Sequence, residues 1–110
     1  YMRQEGRGIG LLNKIKAYNL QAQGKDTVEA NTLLGFDPDL RDFAVAAQMI
    51  KLLNIRSINL MTNNPKKIND LEKYGIKINH RTHIEFPSNS CNSKYLKTKR
   101  EKMNHLFKIN

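Results

Sequence analysis

Apolar residues in the first part of the chain recur with helical spacing from Ile9 to about Gln23. They form one stripe on the predicted helix, made of Leu11, Ile15, Tyr18 and Ala22. Gly24 follows where a helix commonly ends. Tyr1 and Met2, ahead of this helix, are consistent with the end of a strand.

A second helix is predicted after a turn at Gly35–Asp39, because Pro38 disfavours a helix before it. Its apolar positions fall on one side, which we expect to be buried: Phe43, Ala46, Ala47, Ile50 and Leu53. Asp39 is a natural N-cap for this helix, and Asp42 suits its first turn. Residues 27–31, before the turn, are short and mixed and predict a loop or a short strand.

The rest of the chain alternates between strand-like and helix-like segments. An apolar segment of strand length precedes a helix with proline at its first position, and a partly alternating strand, an irregular loop and a last amphipathic helix follow. These segments are Ile55–Met61, Pro65–Gly75, Ile76–Phe86, Pro87–Ser93 and Lys94–Phe107. The order predicts one α/β (α+β layered) domain over residues 1–110, with a mixed sheet and helices.

Composition and charge narrow the class of protein. The 110 residues suit a single domain, and no apolar run approaches the length of a membrane helix. The single cysteine, Cys91, allows neither an internal disulfide nor a multi-cysteine metal site within the chain, so we expect a cytoplasmic location without membrane contact. The net charge of +9 fits a solvated basic surface, a nucleic-acid binder, or an enzyme with a multiply charged anionic ligand.

Cationic side chains stand at three junctions where an α/β domain would bind an anion. The first is the glycine-rich run Glu5–Gly10, in which Arg7 offers a two-pronged bond to phosphate. The second is Asp39-Leu40-Arg41, at a predicted helix start that disfavours a cation unless an anion neutralises it. The third is Thr62–Lys67, where Thr62 and Lys67 could hold phosphate oxygens. Each junction also has a purely structural interpretation. The first could be a tight turn, the second a helix cap and the third a solvated pair of lysines.

Other polar residues give weaker signals. His80, His83 and His105 have no metal-binding spacing and are interpreted as structural or surface residues, and Cys91 as incidental. Tyr18 falls on the apolar stripe of the first helix, which favours a packing role for it.

Several ungapped runs together closely resemble GTP cyclohydrolase II. These runs are Arg3–Ile15, Asp26–Asn31, Gly35-Phe36 with Asp39 and Arg41–Phe43, Leu60 with Thr62–Lys67, and Tyr95-Leu96, Thr98-Lys99 and Lys102-Met103 through His105-Leu106. The resemblance implies an enzyme that hydrolyses GTP to formate, pyrophosphate and a diaminopyrimidine ribosyl phosphate, the first step of riboflavin synthesis.

The same resemblance implies a role for each matched residue. The residues implied to bind GTP are Glu5, Gly6, Arg7, Thr27, Thr62 and Lys67. Asp39 matches the proton acceptor of the family, and Arg41 the arginine assigned as nucleophile toward the α-phosphate. Because a guanidinium stays protonated near neutral pH, Arg41 could instead stabilise charge developing on phosphorus. Tyr18 matches a tyrosine associated with ring opening.

The family's metal site is the main departure. The resemblance implies Zn²⁺ held by three cysteines upstream of the glycine-rich run, whereas this chain has only Cys91 and therefore no predicted metal ligand. We expect residues 1–110 to be the distal part of a domain incomplete at its N-terminus, and unable to open the ring alone. Asn104, where the family usually has glycine, is a minor departure. Mg²⁺ with the triphosphate and a homodimer are further expectations.

Two other interpretations remain open at the level of sequence. The chain could be a nucleotide- or nucleic-acid-binding module without catalysis, although its aromatic residues are scattered rather than set as a stacking platform, and nucleic acid is not the expected partner. It could also be the tail of a fusion with a dihydroxybutanone phosphate synthase domain.

Overall fold

A computed structural model describes residues 1–85 and 87–106 of the chain. A short 3₁₀ turn at Glu5–Gly8 opens it. The elements that follow are α1 (Leu11–Ala22), α2 (Thr27–Leu33), α3 (Ala44–Leu52), β1 (Ile58–Met61), α4 (Pro65–Lys73), β2 (Ile78–Thr82) and α5 (Ser93–Met103).

Strands β1 and β2 lie side by side in parallel and are connected through α4. Ile58 pairs with Ile78 and Asn59 with His80, so the register shifts by one residue at the start of β1. A parallel pair needs such a helical crossover. The predicted α/β class is confirmed.

The hydrophobic core lies where α3 and α4 cover this sheet. Its buried members are Phe43, Ala47, Leu71 and Ile76. Ile50, Ile58, Leu60, Tyr74 and Ile78 pack around them. Residues from α3, α4 and both strands belong to this one cluster. The core therefore holds each strand in a fixed position relative to the two helices.

Helix α4 begins and ends as the sequence predicts. The side chain of Asn64 accepts a hydrogen bond from the backbone N–H of Lys66 (3.0 Å), and Pro65 occupies the first helical position. Gly75 follows the helix with φ +82°, a left-handed conformation that suits glycine.

Helix α2 corrects the prediction of a loop or short strand at residues 27–31. Asp26 accepts a hydrogen bond from the backbone N–H of Glu29 (2.9 Å), and the side chain of Glu29 accepts one from the N–H of Asp26 (3.0 Å). This reciprocal capping box starts the helix. The prediction was wrong because capping, rather than an apolar stripe, determines this short element.

The apolar stripe of α1 is not buried within the described part of the chain. Ile15 is 57% exposed and Tyr18 55%, while Ala17 is the buried residue of the helix. Leu53, expected in the buried stripe of the second helix, lies just beyond α3 and is 72% exposed. The helical spacing was correctly interpreted, but burial of these positions was not.

The ends of the chain also differ from expectation. Residues 1–4 form no strand, and both predicted strands are shorter than their apolar segments. Helix α5 ends at Met103, and Asn104 follows with φ +53°. Asparagine tolerates this left-handed conformation, in which glycine is commoner, so Asn104 can end the helix. The part of the last predicted helix at Phe107, and the strand end at Phe86, lie outside the described residues.

None of the helices within residues 1–85 and 87–106 has the length and apolar character needed to cross a bilayer.

Replacing Asp26 by alanine removes the cap of α2 and the carboxylate that pairs with Lys102 of α5. We expect the free energy of unfolding to fall by about 1 kcal/mol, the usual effect of losing an N-cap. Urea unfolding followed by circular dichroism measures this. Glu72→Ala, at an exposed position of α4, is the matched control, and an equal loss in both variants would contradict the capping role.

Candidate functional site

The Glu5–Gly8 turn holds Arg7 in an uncommon backbone conformation. Gly6 and Arg7 both have left-handed φ angles, +61° and +60°. Such angles are uncommon for a residue with a side chain, and they persist where the surroundings hold them. The backbone of this turn must therefore be held in place by its surroundings.

Close packing against Leu40 provides that support. The N–H of Leu40 donates to the carbonyl of Arg7 (2.9 Å). A Cβ added to Gly8 would come within 3.0 Å of the backbone carbonyl carbon of Leu40, so a larger residue does not fit there. The first and second predicted junctions are thus in direct contact, which sequence spacing does not reveal.

The guanidinium of Arg7 is the least satisfied polar group of the site. Neither Nη atom is reached by solvent, and neither donates a hydrogen bond to any residue of the described chain. A buried donor without a partner costs about 1–3 kcal/mol, and more when it is charged. This is the arrangement expected of a side chain that binds an anion.

Two open cavities meet at Arg7. The smaller, of about 490 Å³, is lined among others by Gly6, Tyr18 and Thr27, and by the amide-bearing Gln21 and Asn31. The larger, of about 1000 Å³, is lined among others by Arg41, Thr62 and Lys67. Asn92 and Tyr95, together with Arg7, line both. Most of the predicted site residues therefore converge on one continuous cleft.

Arg41 lines the larger cavity and forms a two-pronged ion pair with Asp39, which itself lines neither cavity. The Arg41 Nη2 and Nε atoms lie 2.6 and 2.9 Å from the two Asp39 oxygens, and the Arg41 backbone N–H also donates to Asp39 (3.1 Å). The Asp39 side chain is only 8% exposed. Asp39 is therefore not an N-cap, which corrects the prediction: α3 begins at Ala44, where the carboxylate of Asp42 accepts the first free N–H (2.8 Å).

Burial of the Asp39 carboxylate works to raise its pKa, but the hydrogen bonds and charge of Arg41 outweigh burial and hold the pKa below its ordinary value. In turn the hydrogen bond to Asp39 raises the pKa of Arg41. The carboxylate is a weak base in this pairing, and the guanidinium is held protonated. This favours charge stabilisation over nucleophilic attack by Arg41.

Thr62 and Lys67 stand at the third junction as predicted. Thr62 is 6% exposed, and its hydroxyl accepts a hydrogen bond from the N–H of Asn64 (3.0 Å). Lys66 is paired with Asp70 (2.8 Å), whereas Lys67 has no carboxylate partner in the described chain. Burial, and then the charge of Arg41, lowers the pKa of Lys67. Of the two lysines, Lys67 is the one that lines the cavity.

Glu5 is the predicted ligand-binding residue that the structure places away from both cavities. Its carboxylate pairs with Lys14 (3.3 Å) and accepts a hydrogen bond from the Tyr1 hydroxyl. Glu5 therefore ties the turn to α1. Tyr18 and Thr27 line the smaller cavity from α1 and from the first position of α2.

Sequence reasoning missed the contribution of α5 to this cleft. Tyr95 lines both cavities, and His105, just after the helix, lines the larger one. Burial, followed by the positive charges of Lys99 and Arg7, lowers the pKa of His105 to about 4. The available signal was the spacing of Tyr95 and Lys99, four residues apart on one helix face.

Metal ligands do not cluster in this cleft. Within residues 1–85 and 87–106, no three His, Cys, Asp or Glu side chains converge as a metal site requires. Cys91 is an exposed free thiol beside the smaller cavity. The described residues thus do not fit the Zn²⁺ centre that the family resemblance implies, and the location of its ligands upstream stays a prediction.

Together these features define an α/β protein with a cationic cleft built around an arginine turn. The family model described as GTP cyclohydrolase II matches residues 1–83. The chain belongs to the GTP cyclohydrolase II family.

Curated relatives agree with this assignment. A riboflavin biosynthesis protein RibBA from Endomicrobium trichonymphae is 64% identical over 108 residues, 98% of this chain and 27% of the relative. A GTP cyclohydrolase-2 from Tolumonas auensis is 59% identical over 107 residues, 97% of this chain and 54% of the relative. The RibBA protein of Bacillus subtilis is 55% identical over 107 residues, 97% of this chain and 27% of the relative. The chain spans about a quarter of the length of the RibBA relatives and about half the length of the GTP cyclohydrolase-2.

Replacing Asp39 by asparagine removes the charge that holds Arg41. We expect the free energy of unfolding at pH 7 to fall by about 2 kcal/mol, the range for a hydrogen bond to a charged group. Because the folded-state pKa of Asp39 is lowered, its stabilisation is present above the unfolded pKa of about 3.9 and is lost as pH falls through the folded pKa. The difference in the free energy of unfolding between the wild type and Asp39→Asn should therefore become smaller below about pH 4.

Urea unfolding of both proteins between pH 3 and pH 7 measures this difference in the free energy of unfolding. Asp37→Asn, at an exposed position in the same loop, is the control. A difference that stays constant across this range would contradict the ionic pairing.

Proposed function

We propose that this chain forms the nucleotide-binding part of a GTP cyclohydrolase II. Its substrate would be GTP, and the products would be 2,5-diamino-6-ribosylamino-pyrimidinone 5′-phosphate, formate and pyrophosphate, in the first step of riboflavin biosynthesis. The observation that carries the proposal is the buried, unsatisfied guanidinium of Arg7 where the two cavities meet. The names of the relatives support the reaction.

The distribution of charge suggests how the nucleotide would lie. The larger cavity is lined by Arg7, Arg41 and Lys67, which suits a triphosphate. The smaller cavity offers Tyr18 as an aromatic face and the amides of Gln21 and Asn31 as hydrogen-bonding groups, which suits a purine and its ribose. Arg7 would then bind the phosphate nearest the sugar, after a small movement of the side chains that cover its nitrogens.

Arg41 would stabilise the negative charge that develops on the α-phosphate when pyrophosphate leaves. Its raised pKa keeps it protonated, and preorganised cations of this kind act strongly in a partly buried site. Asp39 would position Arg41 through its two-pronged contact. The roles of proton acceptor for Asp39 and nucleophile for Arg41, which the family resemblance implies, fit this geometry less well.

Ring opening in this family needs a Zn²⁺-activated water, and the described residues provide no ligand cluster for the ion. When bound, zinc would supply a hydroxide for attack on C8 of the guanine. We propose that residues 1–110 alone hold the nucleotide without releasing formate. The tail of a fusion with a dihydroxybutanone phosphate synthase domain remains compatible with this proposal.

The chain should bind GTP at low micromolar concentration and more tightly than ATP, because amides that hydrogen-bond one purine edge discriminate against the other. Arg7→Gln should weaken GTP binding at least about ten-fold, the value of one charge-assisted contact. Isothermal titration calorimetry measures both. Arg56→Gln, at an exposed position outside both cavities, is the control.

Three outcomes would count against the proposal. Equal binding of GTP and ATP would contradict guanine recognition. Salt-sensitive RNA binding without nucleotide preference would favour the alternative module. Robust formate release by this chain with added zinc would contradict the need for ligands elsewhere.

His105 provides a second readout that does not depend on activity. With its pKa lowered to about 4, it should be neutral at pH 6. An anion in the larger cavity would offset the cations that lower this pKa, so pyrophosphate should raise the pKa of His105 toward 6.5. Histidine ring NMR signals, titrated with and without pyrophosphate, measure the shift. An unchanged pKa in saturating pyrophosphate would place the anion elsewhere.

A further inference from the structure

Helix α5 is attached to both sides of the cleft. At its C-terminal end Lys102 pairs with Asp26, the cap of α2. Beyond the helix, the N–H of Leu106 donates to the carbonyl of Asn63 (2.9 Å), next to Thr62. The C-terminal end of the helix is therefore attached both to α2, which borders the smaller cavity, and to the segment at Asn63, which lines the larger one. The family model matches residues 1–83, so α5 lies beyond the part of the chain that this model covers.

Lys99 is the cation of α5 that occupies a position like that of Lys67. It is partly buried, lines the larger cavity together with Arg7 and Arg41, and forms no ion pair with a carboxylate of the described chain. Its Nζ atom lies 4.3 Å from the centre of the Tyr95 ring, a close cation–π contact. The ammonium is thus held at the cavity without being neutralised.

Other cations of the same helix differ from Lys99. Lys97 and Arg100 also line the larger cavity, but both are exposed, and Arg100 lies 3.7 Å from Glu101. Lys102 is paired with Asp26. Lys94 is exposed and lines neither cavity. Lys99 therefore combines partial burial, an aromatic support and a position on the cavity wall.

We infer that Lys99 is a further phosphate-binding residue of the cleft, and that Tyr95 is a positioning residue that holds it there. This inference rests on the proposed function, because it takes the nucleotide triphosphate as the ligand of the larger cavity. Lys99 would complete a set of cations with Arg7 and Lys67 around the larger cavity.

The electrostatics of Tyr95 agree with this placement. Burial works to raise the pKa of the Tyr95 hydroxyl, but the hydrogen bond and charge of Lys99, followed by the charge and hydrogen bond of Arg7, outweigh burial and lower it. The ring thus lies close to both cations. Loss of the ring should release Lys99, whereas loss of the hydroxyl alone should remove its hydrogen bond to Lys99 and leave the cation–π contact in place.

Calorimetric titration of the chain with GTP tests the inference. Lys99→Gln should weaken GTP binding about ten-fold, and Lys94→Gln should leave it unchanged. Tyr95→Ala should weaken binding comparably, and Tyr95→Phe, which keeps the cation–π contact but loses the hydrogen bond to Lys99, should weaken it less. In the double variant of Lys99→Gln and Tyr95→Ala, the two losses should not add, because the tyrosine acts through the lysine. Circular dichroism of each variant establishes that it is folded.

The outcomes separate this inference from the proposed function. GTP binding by the wild-type chain with equal affinity in Lys99→Gln and Lys94→Gln would overturn the role of Lys99 alone. Additive losses in the double variant would overturn the positioning role of Tyr95. Absence of GTP binding by the wild-type chain would overturn the proposed function and this inference with it.

Discussion

An arginine side chain with both Nη atoms shielded from water and without a hydrogen-bond partner is uncommon, because a buried charge is normally paired. Arg7 is in this state, and the surrounding structure maintains it. Arg7 lies in the left-handed turn, and the contact between Gly8 and Leu40 prevents the turn from relaxing. Both cavities are organised around this one unsatisfied group, which makes an anionic ligand the simplest means of stabilising it.

The contact with Leu40 also links two groups of charges that are far apart in sequence. Leu40 lies between Asp39 and Arg41, so the backbone that supports the Arg7 turn also carries the ion pair at the larger cavity. Arg7 has no carboxylate partner among the described residues, while Arg41 is held by Asp39. The two arginines therefore differ in net local charge, which suits one to binding phosphate and the other to stabilising charge at a fixed point.

Much of the site could be predicted because its signals are local. Thr62 and Lys67 stand beside a Pro65 helix start that capping rules identify, and Arg7 lies among glycines in sequence. The pairing of Asp39 with Arg41 could not be predicted, because a capping aspartate and a paired aspartate look alike in sequence. Which of two adjacent lysines is neutralised, as Lys66 is, depends on the tertiary fold.

The pattern of apolar residues predicted the helices better than it predicted which of their residues are buried. Helical spacing located α1, but its apolar residues Ile15 and Tyr18 are exposed, since periodicity identifies a face without showing what covers it. Helix α2 was missed because its capping box, formed by Asp26 and Glu29, outweighs a weak apolar pattern. The role of α5 depends on contacts with segments distant in sequence, which cannot be predicted from a single sequence.

A crystal structure of the chain with a non-hydrolysable GTP analogue would show whether Arg7 binds the phosphates. We expect a phosphate oxygen within hydrogen-bonding distance of an Arg7 Nη atom, with the remaining phosphates in the larger cavity near Lys67. A bound nucleotide whose phosphates lie elsewhere, with the Arg7 guanidinium still lacking a partner, would contradict this expectation.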